Sequence, residues 1–309
     1  MMRFLLKRLG QALVTTIGVA TLIFFLQHLT GDPTYLLVPE TATRADIDAM
    51  RHSLGFDRPL FVQYLGFLGQ LARFDLGRSI VQNIDVTTII GSRLPYTLAL
   101  AAGALVVAGG IGIPVGVGLA FMRGRAVSYA LSALVLAAQS MPTFWSGIIL
   151  IMIFAVRLGW LPPSSTGGIE HLVLPCVALG LLSMATFARI TRTALLDELS
   201  KDYVRTARAR GVSRIRLLFR HLARNASTPV ITVTAIEVSN LLAGAVIVET
   251  VFAWPGLGQI TVQSIFARDF LVVQGVVLLG AFVTVALNLV ADLLYSAIDP
   301  RIRLEGARR

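Results

Sequence analysis

The sequence predicts an all-α membrane protein that crosses the bilayer several times. Hydrophobic residues make up 55% of the 309 residues and charged residues only 14%, whereas a soluble domain has about 25% charged residues. The mean hydropathy is +0.76. The apolar residues also gather in runs of roughly 20, the helix length that crosses a hydrocarbon core of about 30 Å. A strand barrel would instead show alternation over pieces of roughly 10 residues.

Six segments are long and apolar enough to form transmembrane helices. They cover approximately residues 9–29, 94–122, 127–156, 171–190, 229–248 and 271–298. Pro95 and Pro229 are expected in the first turns of the second and fifth helices, where a missing N–H costs little. Pro114 and Pro142 lie inside the second and third segments and predict local kinks. We interpret the first segment as a retained anchor, because its apolar run exceeds the 7–15 residues of a signal peptide.

The basic residues predict the orientation. With the N-terminus placed in the cytoplasm, 19 Lys and Arg fall in cytoplasmic pieces and 8 in outer pieces. This bias in short loops predicts that both termini are cytoplasmic. The net charge of +10 is therefore mainly an orientation signal, and we do not interpret it as a nucleic-acid footprint.

The spans and loops divide the chain into four regions. Residues 1–29 form the anchor helix, 30–93 an outer helical segment, 94–298 a five-helix core, and 299–309 a cytoplasmic tail. The outer segment begins at the turn Gly31-Asp32-Pro33 and places apolar residues of 60–74 at helical spacing, which predicts a small helical lid. The core contains a large cytoplasmic loop, residues 191–228.

The cytoplasmic loop contains the most informative pattern. Asp202 to Arg210 suits a short helix with basic residues near its C-terminal end, and Gly211 permits a left-handed residue and a sharp reversal. The stretch from Ile215 to Leu222 then leads back to the membrane. The small residues Ala207 and Ala209 would let this helix dock in a groove of another protein. An arginine-rich interfacial helix that only maintains orientation fits the same residues.

This loop resembles that of the inner-membrane permease subunits of bacterial ABC importers, in their peptide/nickel branch. The general family has Glu-Ala-Ala where this chain has Arg205-Thr206-Ala207, so only the last alanine and Gly211 of the general pattern are retained. The branch pattern is matched better. It comprises Asp202 to Gly211, His221, Arg224-Asn225, Gly31-Asp32-Pro33, Leu54 to Pro59, Ser140 to Trp145, Val248 to Gly258 and Asp299-Pro300-Arg301.

The resemblance implies a type I ABC importer permease with six transmembrane helices in the bacterial inner membrane. It implies four kinds of partner: a second homologous permease, two ATPase subunits that bind ATP and Mg, a periplasmic substrate-binding protein and the lipid bilayer. A heterodimer is expected, with a homodimer left open. Relatives import dipeptides, oligopeptides, nickel chelates and other solutes, so the substrate is not defined. The residues implied in coupling to the ATPases are Asp202, Tyr203, Arg205, Ala207, Ala209, Gly211 and His221.

The chain itself is not expected to hydrolyse ATP or to bind a cofactor. A phosphate-binding loop needs a lysine that follows a glycine, and neither Lys7 nor Lys201 does so. The four histidines are scattered and Cys176 is the single cysteine, so no metal site is predicted. The main alternative class is an ion-coupled secondary transporter, which would show inverted repeats. A membrane enzyme is disfavoured by the absence of H-E-x-x-H.

Polar residues inside the spans are candidates for the translocation pathway. Glu237 lies near the middle of the fifth segment, where a charge costs roughly 2.5–3.5 kcal/mol. It either lines the path or pairs with a neighbouring helix. Asn240 and Gln139 are further candidates, although polar residues also bridge helices in bundles.

The loop after the fifth span contains the candidates for an outer gate. Glu249, Phe252 and Trp254 begin this loop, and Trp254-Pro255-Gly256 forms a turn with an interfacial aromatic residue. The resemblance suggests that the loop meets the binding protein or gates the outer mouth. A membrane-surface anchor explains the same residues equally well.

Overall fold

The computed structural model describes residues 2–29, 43–54 and 56–298. The turn Gly31-Asp32-Pro33, Gly55, the Asp299-Pro300 helix end and the tail 299–309 lie outside the described residues. The helices are α1 (Met2–Leu29), α2 (Arg44–Leu54), α3 (Leu60–Ala72), α4 (Val86–Phe121), α5 (Ala126–Ser140), α6 (Thr143–Leu150), α7 (Glu170–Leu199), α8 (Asp202–Ala209), α9 (Arg214–Leu217), α10 (Ala223–Val251), α11 (Leu257–Phe266) and α12 (Phe270–Ile298). Two π-helical segments, Ile151–Arg157 and Leu218–Leu222, continue α6 and α9.

The all-α prediction is confirmed for the described residues, where the only β pairing is an isolated bridge between Arg78 and Asp85. Four helical segments there are long and apolar enough to cross a membrane: Val86–Phe121, Glu170–Leu199, Arg214–Val251 and Phe270–Leu287. The described residues contain up to five spans if one bent helix pair, Ala126–Ser140 with Thr143–Arg157, is counted as a single span. The predicted first span falls in α1, which contains the shorter apolar stretch Leu13–Phe25. The count of six therefore stays a prediction.

The third predicted span is not one helix with a local kink. The α5 helix and the segment formed by α6 and its π-helical continuation are bent by 105° relative to one another. Met141 and Pro142 between them have ψ angles of 127° and 137°. Proline disfavours the α conformation in the residue before it and lacks an N–H for the preceding turn. As a result, α5 ends at Ser140 and a new helix begins after Pro142.

The expected positions of two other prolines are wrong. Helix α4 begins at Val86, so Pro95 lies well inside it, and Pro229 lies inside α10. Both helices begin on the N-terminal side of the apolar run, with polar residues in their first turns. Each proline therefore interrupts the hydrogen-bond ladder near the start of the apolar segment.

The chain divides into two compact units. The first comprises residues 1–95 and 260–286. Within it α3 packs against α1: Phe24 meets Tyr64 and Phe67 with ring centroids 5.3 and 5.7 Å apart, and Thr21 shares a 2.7 Å hydrogen bond with the Tyr64 hydroxyl. The predicted helical lid is thus an α-helix packed on α1. In the same unit, buried Asp269 accepts hydrogen bonds from Ser79 and the backbone that follows it.

The second unit comprises residues 96–259 and 287–309. Its core lies between α4, α7 and α10, where small residues let the helices come close together. A Cβ placed on Gly180 of α7 would lie 2.8 Å from the carbonyl oxygen of Ala104 in α4. A Cβ on Gly112 of α4 would lie 2.8 Å from the Cβ of Phe187 in α7. The two backbones therefore meet with no side chain between them.

Candidate functional site

The predicted short helix of the cytoplasmic loop is present as α8, and one side of it is buried in its own chain. Val204 is fully buried and Ala207 is 7% exposed. They pack in an apolar cluster with residues of α4, α7, α9, its π-helical continuation and α10, namely Ala120, Ala194, Leu195, Leu217, Leu222 and Ala226. Burial of this side fixes which residues of α8 can meet a partner.

The other side of α8 is polar and exposed. Asp202 and Arg205 form an exposed ion pair with 3.6 Å between Oδ1 and Nη1, which contributes little stability because water screens it. Arg208 and Ala209 are also exposed. Of the two alanines predicted for docking, Ala207 faces its own chain, so only Ala209 can contact a partner. The pattern of polar and apolar residues along the eight residues of this helix could not show which side is buried.

The reversal after α8 has the predicted conformation. Gly211 has a φ of +75°, and a Cβ there would meet nothing within 4 Å. Its N–H donates to the carbonyl of Arg208 at 2.9 Å, and the N–H of Val212 donates to that of Ala207 at 3.2 Å. A side chain at residue 211 would therefore be disfavoured by the backbone alone. His221 follows in the π-helical segment and is half-buried.

A buried carboxylate that the sequence analysis missed joins α8 to its neighbours. Glu198, in the last turn of α7, is 8% exposed. Its oxygens accept hydrogen bonds from Lys201 Nζ and Tyr203 Oη, both at 2.5 Å, and from Asn225 Nδ2 at 3.5 Å. We call these four residues the Glu198 junction. A glutamate at a helix C-terminus, where the helix dipole disfavours it, was the sequence signal that could have indicated the junction.

The Glu198 junction also shifts the pKa values of two of its members, Lys201 and Tyr203, which lie outside the spans. The hydrogen bond to the Glu198 carboxylate raises the pKa of Lys201 above its usual value. Burial, followed by the hydrogen bond to Glu198, raises the pKa of the Tyr203 hydroxyl. Both pKa shifts favour the protonated forms, in which Lys201 and Tyr203 donate hydrogen bonds to Glu198.

The three pathway candidates lie in different environments. Glu237 is 7% exposed, and its Oε2 accepts a hydrogen bond of 2.5 Å from Ser183 Oγ of α7. Asn240, one turn further along α10, is exposed. Gln139 is half-buried at the end of α5, next to the 105° bend. The structure thus places Glu237 in a contact between two helices and leaves Asn240 open to water or to another chain.

Glu249 is completely buried and organises the turn that follows α10. Its Oε1 accepts from Thr97 Oγ1 at 2.6 Å, and its Oε2 accepts from the N–H groups of Gly258 and Gln259 at 2.6 and 3.1 Å. The Thr97 hydroxyl also accepts from the N–H of Leu257 at 2.8 Å. The carboxylate therefore caps the start of α11, which has unpaired N–H groups and a positive dipole end.

The two aromatic gate candidates are also buried. Phe252 and Trp254 are 1% and 3% exposed. Trp254 donates from Nε1 to the carbonyl of Tyr96 at 2.9 Å, and the carbonyl of Phe252 accepts from the N–H of Ser165 at 3.0 Å. Both side chains thus pack in the apolar cluster inside the unit.

No group of three or more His, Cys, Asp or Glu side chains that could hold a metal is found among the described residues. Cys176 is buried and points to the carbonyl of Leu100.

Several apolar spans, a short polar-faced helix between two of them and a carboxylate-capped turn define a multi-pass helical membrane protein. Two family models match the chain: "Binding-protein-dependent transport system inner membrane component" over residues 112–304, and the N-terminal model of the same transport systems over residues 1–101. The chain belongs to this family of binding-protein-dependent transport system inner membrane components.

The curated relatives match the chain from end to end. The di/tripeptide transport system permease protein DppB of Pseudomonas aeruginosa (strain UCBPP-PA14) is 40% identical over 98% of this chain and 99% of its own length. The dipeptide transport system permease protein DppB of Escherichia coli (strain K12) is 37% identical with the same coverage. The resemblance stated from the sequence is confirmed: the chain is a permease subunit of an ABC importer and a multi-pass protein of the bacterial inner membrane.

Solved structures support the fold. The inward-facing MetNI methionine ABC transporter, in its CY5 native crystal form, has a chain with a TM-score of 0.58 to this one at 22% identity. The match covers 69% of this chain and 97% of that chain. A second crystal form of the same transporter gives a TM-score of 0.59.

Proposed function

We propose that this permease subunit imports short peptides that a periplasmic binding protein delivers, with energy from ATP hydrolysed on two separate ATPase subunits. The peptide substrate is supported by the names of relatives that match the whole chain. ATP and Mg would bind the ATPases, because the sequence lacks the phosphate-binding motif. Dipeptides are the first substrates to test, and nickel chelates and longer peptides are alternatives.

The observation that carries the proposal is the two-sided structure of α8. Its apolar side is buried in the core between the spans, and its exposed side carries Asp202, Arg205, Arg208 and Ala209. The buried side attaches α8 to the helices on which it packs. We infer that an ATPase docks on the exposed side, in the cytoplasm, and that its closure moves α8 and the attached spans.

A second permease chain would cover the remaining exposed surface of the spans. Only 17% of the most apolar part of the Arg214–Val251 segment is buried within the chain. Asn240 of α10 is exposed. A polar amide is costly against lipid, so we place it in the pathway or against the partner permease. A related but different partner chain is expected. Six spans and cytoplasmic termini remain part of the proposal, as does the division at residues 1–29, 30–93, 94–298 and 299–309.

At the other end of α10, the buried residues Glu249, Phe252 and Trp254 would act indirectly. We propose that they hold the turn before α11 in the shape that the binding protein meets on the periplasmic side. Glu237 would stabilise the contact between α7 and α10 through Ser183, while Asn240 and Gln139 remain the pathway candidates.

A pair of glycine variants tests the proposal. Gly211→Val forces a β-branched residue into a left-handed conformation after α8, which is strained by about 1–2 kcal/mol or more. Gly124→Val is the matched control: Gly124 has a φ of +82°, equally open surroundings and a place in a different loop. In proteoliposomes containing the whole transporter, Gly211→Val should abolish dipeptide uptake and binding-protein-stimulated ATP hydrolysis, and Gly124→Val should retain both.

The opposite results contradict specific parts of the proposal. If Gly211→Val still co-purifies with the ATPases and hydrolyses ATP only with loaded binding protein, α8 is not the docking element. If the wild-type chain alone accumulates dipeptide against a gradient in liposomes, the chain is an ion-coupled secondary transporter.

A further inference from the structure

We propose that Glu198 is the positioning residue that makes α8 move with the spans α7 and α10. The inference rests on the proposed docking of an ATPase on α8 and deepens it, because it identifies how movement would leave that helix. The carboxylate belongs to α7, its donor Tyr203 lies in the first turn of α8, Lys201 directly precedes that turn, and Asn225 lies at the start of α10. One side chain therefore links three helices.

The other attachments of α8 are weak in comparison. The segment before it is the two-residue connection Ser200-Lys201, and the segment after it turns at Gly211, a residue with unusual backbone freedom. Val204 and Ala207 pack against the core, but apolar contacts are not directional. Without the Glu198 junction, α8 could tilt on this packing without moving α7 or α10.

The chemistry of the junction favours a positioning role for Glu198 over simple helix capping. A carboxylate in the last turn of a helix is repelled by the negative end of the dipole, and burial adds a desolvation cost. Hydrogen bonds to a charged acceptor are, however, roughly twice as strong as neutral ones. The charge thus provides a strong attachment for Lys201 and Tyr203, both 2.5 Å away.

The neighbouring residue supplies a matched control. Asp197 is also acidic and also in the last turn of α7, but it is exposed. Asp197→Asn removes the same charge from the same helix end and leaves the hydrogen bonds to Glu198 in place, because Asp197 acts on Lys201 only as a more distant charge. Glu198→Gln keeps the size of the side chain and removes only the charge. Tyr203→Phe removes one donor and keeps the ring.

The test measures a distance within the chain, so it does not depend on knowing the substrate. Spin labels are placed at exposed Thr206 of α8, which is not among the proposed docking residues, and at exposed Thr250 near the far end of α10, in a Cys176→Ser background. Distances are recorded in inverted membrane vesicles carrying the whole transporter, without nucleotide and with ATP, Mg and vanadate. A rigid junction gives one narrow distribution that is the same in both states.

Glu198→Gln should raise the population with α8 detached by about tenfold, as expected for the loss of a charge-assisted bond. The distribution should then broaden and shift with nucleotide. Tyr203→Phe should broaden the distribution in the same way but less, and Asp197→Asn should match the wild type. The change in the double variant Glu198→Gln/Tyr203→Phe should be smaller than the sum of the changes in the two single variants.

A wild-type distribution in both Glu198→Gln and Tyr203→Phe would overturn the inference, and so would an equal change in Asp197→Asn. The nucleotide-free measurement tests the junction by itself. The nucleotide-free distances can agree with the prediction while nucleotide leaves the distance distribution of every variant unchanged and the ATPases do not co-purify. In that case the proposed docking function is wrong and the inference about the Glu198 junction still holds.

Discussion

Removal of the Thr97 hydroxyl gives the sharpest prediction about stability. Thr97→Val preserves the shape of a side chain that is 5% exposed, but deletes a group that makes two hydrogen bonds. It donates to buried Glu249 at 2.6 Å and accepts from the N–H of Leu257 at 2.8 Å. A hydrogen bond to a charged group contributes about 1.5–3 kcal/mol, and a hydrogen bond from a neutral N–H contributes about 0.5–1.5 kcal/mol. We expect a net loss of roughly 3 kcal/mol.

The single cysteine of the chain provides the assay. Cys176 is 4% exposed and lies in the same apolar cluster as Phe252 and Trp254, so a thiol reagent reaches it only when this cluster opens. When opening and closing are faster than labelling, the labelling rate follows the opening equilibrium. A loss of 3 kcal/mol corresponds to roughly a hundredfold faster labelling, since 1.4 kcal/mol is a factor of ten.

Thr250→Val is the control, because Thr250 is exposed and donates only to the carbonyl of Val246 within its own helix. It should change the labelling rate by less than about threefold, as expected for an exposed site. If Thr97→Val labels as slowly as Thr250→Val, the turn before α11 is not held by the Glu249 carboxylate, and the argument from buried hydrogen bonds is refuted.

Two further predictions concern the contacts between spans. Ser183→Ala should lower the stability of the complex by about 1–3 kcal/mol, because it leaves buried Glu237 without its donor. Glu237→Gln retains an acceptor for Ser183 and should cost less. Thermal unfolding in detergent compares the two variants, and equal unfolding midpoints would contradict the pairing. Gly180→Ala should cost about 1–3 kcal/mol through overpacking against α4, while Gly110→Ala, with nothing within 4 Å of the added atom, should be neutral in the same measurement.

The sequence contained enough information to predict local features. The helix at residues 202–209 and the left-handed Gly211 depend on neighbouring residues, and both are present. The lid helix is present for the same reason, because its apolar spacing repeats over 13 residues. These features need no knowledge of what lies elsewhere in the chain.

Partners across long sequence separations could not be predicted. Thr97 and Glu249 are 152 residues apart, and Ser183 and Glu237 are 54 apart. An isolated glutamate in an apolar run identifies a polar site but not its donor. The side of α8 that Ala207 faces also depends on α4 and α7, which a sequence pattern of eight residues does not reveal.

The backbone contact at Gly112 and Gly180 limits how this protein can change shape. Where the main chains of two helices touch directly, sliding one helix along the other by part of a turn would bring a side chain into contact with peptide atoms. We therefore expect α4 and α7 to move as one rigid body. Flexing has to be concentrated where the ladder of peptide hydrogen bonds is already broken. The corner between α5 and α6 at Pro142 is one such place, and we expect bending of the subunit to occur there.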